Sequence, residues 1–383
     1  MVTRVEFPPL TVCRERRSAK WTQYDADVLP MPVAEMDCLL PEPIQQVLLD
    51  AVRRGDTGYP PMDGEASAAF ADFARATWGW EAVPARSILC SDVSAGAIVA
   101  LRTLLPPGSP VAISSPVYPP FHAWPRRAEM SLVEVPLLGP DQGWRLDLAG
   151  LERAFAGGTR AYVLCHPHNP LGRLVPPEEL AGLAELADRY GVLVLADEIH
   201  APLTLPGEGF TPYLSVSDAA RRTGVALHSP SKAWNLAGLK TAFLVYDDAR
   251  YDQPFAGLRA KLPWQAGILG ALAAVPAYRE CRDWLAALVE YLAGNHALLR
   301  HELAAKLPQA RCSVAQAGYL AWIDLRRYDY GGEPARRILD VGRLALGVGP
   351  TFGEPGAGHV RINLGCAADL IPQAVDRMVA ALP

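Results

Sequence analysis

The feature that most constrains this chain is a series of short, unbroken apolar runs separated by helical stretches. The runs are SILC (87–90), PVAISS (110–115), AYVLCH (161–166), GVLVLAD (191–197), VALHS (225–229) and TAFLVY (241–246). A strand with one wet face alternates apolar and polar residues. These runs are continuous, which is the pattern of strands covered on both faces. Helical stretches at 65–78, 94–105, 147–155 and 177–190 lie between them. The expectation is an α/β fold with a mostly parallel sheet sandwiched by helices.

The flanking regions read differently. MPVAEMDCLLPEPIQQVL predicts an extended segment followed by a helix with Pro41 and Pro43 in its first turn, where proline is tolerated. Residues 55–64, GDTGYPPMDG, predict a loop. An apolar stretch at 264–277 is broken by Gly and Pro, and 278–306 predicts one long amphipathic helix. Beyond it the order is strand (AGYLAWIDL), helix (EPARRILDVGRLAL), strand (HVRINLGC) and helix (LIPQAVDRMVAAL). A chain of 383 residues exceeds one ordinary domain. The expected division is a large domain at 46–275 and a smaller one at 276–383, joined by the N-terminal segment 1–45.

A net charge of −5 offers no basic surface for nucleic acid or an anionic membrane. No apolar run is long enough to span a bilayer, and MVTRVEFPPL lacks the apolar centre of a secretory signal. The seven cysteines are scattered, odd in number and never in CxxC spacing. Reduced thiols and a cytoplasmic location are therefore expected.

In a parallel α/β sheet, functional groups gather at the carboxyl ends of the strands. Here those ends carry Ser114 and Ser115, His166 to Asn169, Asp197 to His200, and Ser229 to Lys232. The chain has only five lysines, and two of them, Lys232 and Lys240, fall within HSPSKAWNLAGLK. A partly desolvated lysine at a strand end loses preference for its charge and becomes nucleophilic, as attack on a carbonyl requires. Ser229, Ser231 and Lys240 supply hydroxyls and a cation suited to a phosphate. VSAGAIVAL (93–101) predicts a helix start with free N–H groups at Gly96, Ala97 and Ile98. Asp197 at the end of a buried strand needs a partner, and a protonated pyridine nitrogen would serve. Lysine, carboxylate and phosphate cradle together point to pyridoxal 5'-phosphate (PLP). In isolation, His166-x-His168 with Asp197 and His200 also suits a metallohydrolase, but that reading leaves Lys232 unexplained, so no metal is expected.

The segments S-x-K-W (18–21), V-A-E-M-D (33–37), G-Y-P (58–60), S-P-V-Y-P-P-F (115–121), P-H-N-P-x-G-R (167–173), A-D-E-I-H-A (196–201), S-K-A-W-N-L-A-G-L-K (231–240), Y-L-A-W-x-D (319–324) and H-V-R-I-N-L (359–364) run over nearly the whole chain. Together they resemble fold-type I PLP-dependent enzymes of the class I/II aminotransferase group, and within it the MalY/PatB branch of cystathionine β-lyase-like C–S lyases. The resemblance implies a seven-stranded sheet in the large domain and a smaller α+β domain. It implies Lys232 as the lysine that carries the cofactor and later moves the Cα proton. Asp197 would face the pyridine nitrogen, Asn169 the ring 3-oxygen, Tyr118 the ring face, and His200 the ring surroundings. Arg361 would clamp the substrate carboxylate. Ser229, Ser231, Lys240 and the backbone at 96–98 would hold the phosphate. Tyr59 would reach it from the neighbouring subunit of a homodimer.

The implied activity is β-elimination of an L-cysteine S-conjugate to thiol, pyruvate and ammonia. The alternatives are transamination, or decarboxylation or oxidative deamination of the same kind of conjugate; a regulator that has lost catalysis is a further reading. Relatives commonly carry aromatic residues where Pro32 and Cys38 stand, and Thr or Val where Leu171 stands. Those departures imply a wider or altered pocket and a substrate bulkier than cystathionine.

Overall fold

The structure is a computed structural model and describes residues 4–382. Seven strands form the main sheet: β1 (Ser87–Cys90), β2 (Pro110–Ile113), β3 (Ser131–Glu134), β4 (Ala161–Cys165), β5 (Leu193–Asp197), β6 (Gly224–His228) and β7 (Ala242–Val245). Their spatial order is β1-β7-β6-β5-β4-β2-β3. All neighbours are parallel except β7, which runs antiparallel to both β1 and β6. The unbroken apolar runs are explained directly. Val111, Ile113, Val163, Leu195 and Leu227 pack into a core on one face of the sheet. Ala112, Tyr162, Leu164, Val194, Ala196 and Ala226 pack into a core on the other. Each fully buried aliphatic side chain contributes roughly 1.5–3 kcal/mol, so neither face can be wet without large loss.

The expected helices appear at Glu65–Trp78, Val93–Leu104, Leu148–Ala156 and Pro177–Tyr190. Edge strand β3 was not expected. Three of its four residues are exposed, so it carries no continuous apolar signal. The predicted helix over 278–306 appears as Arg282–Lys306, four residues shorter at its start, because residues 278 and 279 end a separate helix, Ile268–Arg279.

The longer of these two helices joins both cores. Trp284, Leu285, Leu288 and Leu292 pack with the main core. Leu299 and Leu303 pack with a further core around a second, antiparallel sheet. That sheet orders Gly347–Val348, β9 (His359–Asn363), β8 (Leu320–Asp324) and Arg311–Cys312. We propose that these two bodies are the large and small domains, with the long helix as their hinge.

The N-terminal segment straps the two bodies together. Leu29 and Pro30 pair in parallel with Leu344 and Ala345. The Asn363 side chain donates to the Val33 and Glu35 carbonyls at 2.6 and 2.7 Å. Lys20 and Asp37, 1% and 2% exposed, form a buried ion pair at 2.7 Å that locks residues 18–37 into a loop. Among the described residues, no helix is long and apolar enough to cross a membrane.

Candidate active site

The carboxyl ends of β4, β5 and β6 meet residues 32–36 of the strap and Arg361 of β9. Lys232 lies four residues beyond β6. Its Nζ donates to the Ala34 carbonyl at 2.8 Å. Burial, reinforced by the positive charge of Arg361, pushes the amine down to about 8. A fraction of it is therefore unprotonated near neutral pH, which is the nucleophilic form. Asp197 ends β5, with Cys165 and Leu227 as its register partners. Burial raises its carboxyl to about 7, offset in part by the Ile199 N–H that it accepts at 3.2 Å and by Lys232. A carboxylate held this high lacks a cationic partner of sufficient strength.

Arg361 brings the small sheet into the site. One terminal nitrogen donates to Asn169 Oδ1 at 3.0 Å and the other to the Pro32 carbonyl at 2.7 Å. Its guanidinium lies over the Phe352 ring at 4.9 Å, and its Nε is buried without a partner. Burial lowers even this group to about 10. A buried guanidinium with an orphaned donor is a receptor for a carboxylate. Tyr118, half-buried, is raised first by burial and then by the negative charge of Asp197. His200 is lowered to about 3, chiefly by burial, with Lys232 and Arg361 adding to the effect, so it is a neutral group. Its ring meets Tyr319 edge-on at 6.2 Å.

Gly172 permits the turn that presents Asn169. It has φ +66°, and a Cβ there would meet Ala315 Cβ at 2.7 Å and the Ala317 carbonyl at 2.8 Å.

One expectation about the phosphate cradle needs correction. The helix begins at Val93, earlier than the sequence suggested, because Asp92 caps it by accepting the Ala95 N–H. Gly96 donates its N–H to the Asp92 carbonyl, and Ala97 and Ile98 lie within the helical turn. The free N–H groups are therefore those of the first turn, Val93 and Ser94. Gly96 has a packing role instead: a Cβ there would lie 2.9 Å from Leu227 Cδ2. Ser229 donates its hydroxyl to the Thr241 carbonyl at 2.6 Å and accepts the Ser231 N–H. It braces the lysine loop. Lys240, in the left-handed region at φ 58°, sits by the same helix tip with Nζ 3.5 Å from Asp92 Oδ2.

Three further expectations resolve geometrically. His166 bonds the Thr211 carbonyl and the Val175 N–H, while His168 bonds the Pro116 carbonyl, so both are occupied by backbone. Among the described residues, no three His, Cys, Asp or Glu are placed to hold a metal ion. Cys38 and Leu171, each 2% exposed, pack into the core. Leu171 also lines a cavity with Trp144, Arg173 and Trp322, and Pro32 borders the site through its carbonyl bond to Arg361. Tyr59 stands apart from Lys232, 73% exposed and edge-on to Trp264 at 5.3 Å.

Sequence reasoning missed Tyr319, whose hydroxyl donates to the same Ala34 carbonyl at 2.9 Å, and Phe352 beneath Arg361. Tyr319 opens the resembling segment Y-L-A-W-x-D, but Phe352 has no local signal, since it acts through a contact remote in sequence. The Lys20–Asp37 pair had one: Lys20 is one of five lysines and lies in an S-x-K-W segment.

A desolvated amine facing a buried carboxylate, with a guanidinium alongside, defines an enzyme site built for amino-acid chemistry. The chain belongs to the aminotransferase class I and II family, whose profile matches residues 31–378. It is 40% identical to a protein provisionally named cystathionine beta-lyase from Mycobacterium leprae (strain TN), covering 96% of this chain and 95% of that one. It is 30% identical to cystathionine beta-lyase PatB of Bacillus subtilis (strain 168), covering 96% and 97%. A solved structure from Corynebacterium diphtheriae, provisionally described as a PLP-dependent beta-cystathionase, superimposes with a TM-score of 0.94 at 36% identity over 98% of both chains. The chain thus falls among the cystathionine beta-lyase-like C–S lyases of that family.

Proposed function

We propose that the chain is a PLP-dependent carbon–sulfur β-lyase that converts an L-cysteine S-conjugate and water to a thiol, pyruvate and ammonia. The observation that carries this reading is the set formed by Lys232, Asp197 and Arg361. It joins an amine lowered to about 8, a carboxyl raised to about 7 and a guanidinium with a buried unpartnered Nε.

The residues present fit PLP. Lys232 offers the amine, Asp197 lacks the cation that a pyridinium would provide, and Val93, Ser94 and Lys240 gather at a helix tip suited to a phosphate. When bound, PLP supplies an electrophilic carbon for amines and a ring that accepts the electron pair left at Cα. Arg361 binds the substrate carboxylate and orients Cα toward Lys232. Lys232 Nζ takes the Cα proton. His200, neutral and buried, and Tyr118 exclude water from the reacting face. Reduced thiols in a cytoplasmic setting accord with seven free cysteines. We further propose a homodimer in which Tyr59 completes the neighbouring phosphate cradle. Its exposed ring, with exposed Met62 and Trp264, forms an apolar patch of the kind an interface covers.

The test is to incubate the purified protein with PLP and S-ethyl-L-cysteine, assaying thiol and pyruvate together. Equal amounts of both, lost in Lys232→Ala, are expected. PLP-dependent conversion to a keto acid without thiol would replace the lyase by an aminotransferase. No PLP uptake would overturn the reading.

A further inference from the structure

Beneath the site, on the opposite face of the sheet, lies a buried histidine–glutamate contact. Asp197 and Glu198 are consecutive, so their side chains leave β5 on opposite faces. Glu198 is 0% exposed. One of its oxygens accepts the Tyr213 N–H at 2.7 Å, and the other lies 2.9 Å from His228 Nε2. His228, 2% exposed, ends the neighbouring strand β6. Its ring is boxed by Phe70, Trp78 and Trp80, with centroids at 4.7, 5.6 and 5.7 Å.

The other ionisable groups near the pair are His166, Asp247 and Arg173, and one oxygen of Asp247 is buried without a hydrogen-bond partner. His166 accepts the Val175 N–H on Nδ1, so its proton is on Nε2, facing the Thr211 carbonyl, and the ring is neutral. Asp247 accepts the Trp80 indole N–H at 2.9 Å. Arg173 is paired with Glu179 at 2.7 Å. Among the described residues, His228 is the only basic side chain in ionic contact with Glu198.

Two consecutive buried carboxylates cannot both be anionic unless each has its own counter-charge. Asp197 would find its counter-charge on the cofactor, which makes this inference rest on the PLP reading. Glu198 can find one only in His228. We propose that His228 and Glu198 are positioning residues that act through Asp197: together they form an electrically neutral imidazolium–carboxylate pair, leaving Asp197 as the single net negative charge facing the cofactor's ring nitrogen. The pair thereby sets how firmly that nitrogen holds its proton. Neither residue touches cofactor or substrate.

The test reads charge and not packing. The absorbance of PLP bound to the protein is titrated with pH, without substrate, in wild type, His228→Gln, Glu198→Gln and the double variant. His228→Gln keeps an N–H donor but leaves Glu198 anionic. The extra negative charge should raise the pKa of the bound cofactor by about one unit or more. Glu198→Gln and the double variant are both neutral, like the wild-type pair, and should titrate within about 0.3 unit of it.

An unshifted titration in folded His228→Gln would overturn the proposal. So would a downward shift of about a unit in Glu198→Gln, because it would mean that Glu198 is an uncompensated anion in the wild type. If His228→Gln does not fold, the Glu198→Gln titration decides alone. A protein that takes up PLP but releases no thiol refutes the lyase reading and leaves this titration intact. A protein that takes up no PLP refutes both.

Discussion

Replacing Lys20 by methionine should expose how the N-terminal strap holds the site. Lys20 Nζ lies 2.7 and 2.8 Å from the two oxygens of Asp37, with both side chains almost wholly buried. Removing one partner of such a pair costs about 3–5 kcal/mol, because the other charge stays buried alone. Even with Lys20 present, burial outweighs the attraction and the Asp37 carboxyl is raised. Without Lys20 it rises further.

A carboxyl whose folded pKa exceeds its unfolded value of about 3.9 binds protons more tightly when folded. Lowering the pH toward 4 then favours the folded state, and raising it through the folded pKa removes that gain, at up to about 1.4 kcal/mol per pH unit. Lys20→Met should therefore lose about 3–5 kcal/mol at pH 8 and at least about 1 kcal/mol less at pH 5. The double variant Lys20→Met/Asp37→Leu, which leaves no buried charge, should recover to within about 2 kcal/mol of wild type. Urea unfolding followed by tryptophan fluorescence measures all three. A loss below about 1 kcal/mol that is flat with pH, or a double variant no better than the single, would refute the reasoning.

Two other outcomes are expected. Arg361→Lys keeps the charge but loses the planar fork shared with Asn169 and Pro32, so KM for an S-alkyl-L-cysteine should rise about 10–100-fold, with kcat much less changed, as read in steady-state kinetics. Gly96→Ala drives a methyl into Leu227 and Cys90 below the site and should destabilise the protein by about 1–3 kcal/mol in the same urea assay, whereas Gly294→Ala, with open space around it, should not.

The sheet was legible in the sequence because each central strand is buried on both faces and must be apolar throughout. The edge strand Ser131–Glu134 was not, since one covered side leaves no such signature. Lys232, Asp197, Asn169 and Arg361 could be named because chemistry at strand ends requires those residue types, and because the resembling segments fall in family order. Their depressed and elevated pKa values could not be named. These follow from burial and from charges brought together across more than a hundred residues, as where Arg361 helps to lower Lys232.

The phosphate cradle marks the boundary between the two kinds of information. The sequence placed the helix start to within a residue, but Asp92 capping shifted which N–H groups are free. Residue type and order thus determined the fold class, the family and the reacting groups, since those depend on local pattern. Only the tertiary structure decided which donors remain open and which buried carboxylates have a basic group beside them, because hydrogen-bond and charge balance is settled between segments that the chain alone keeps far apart.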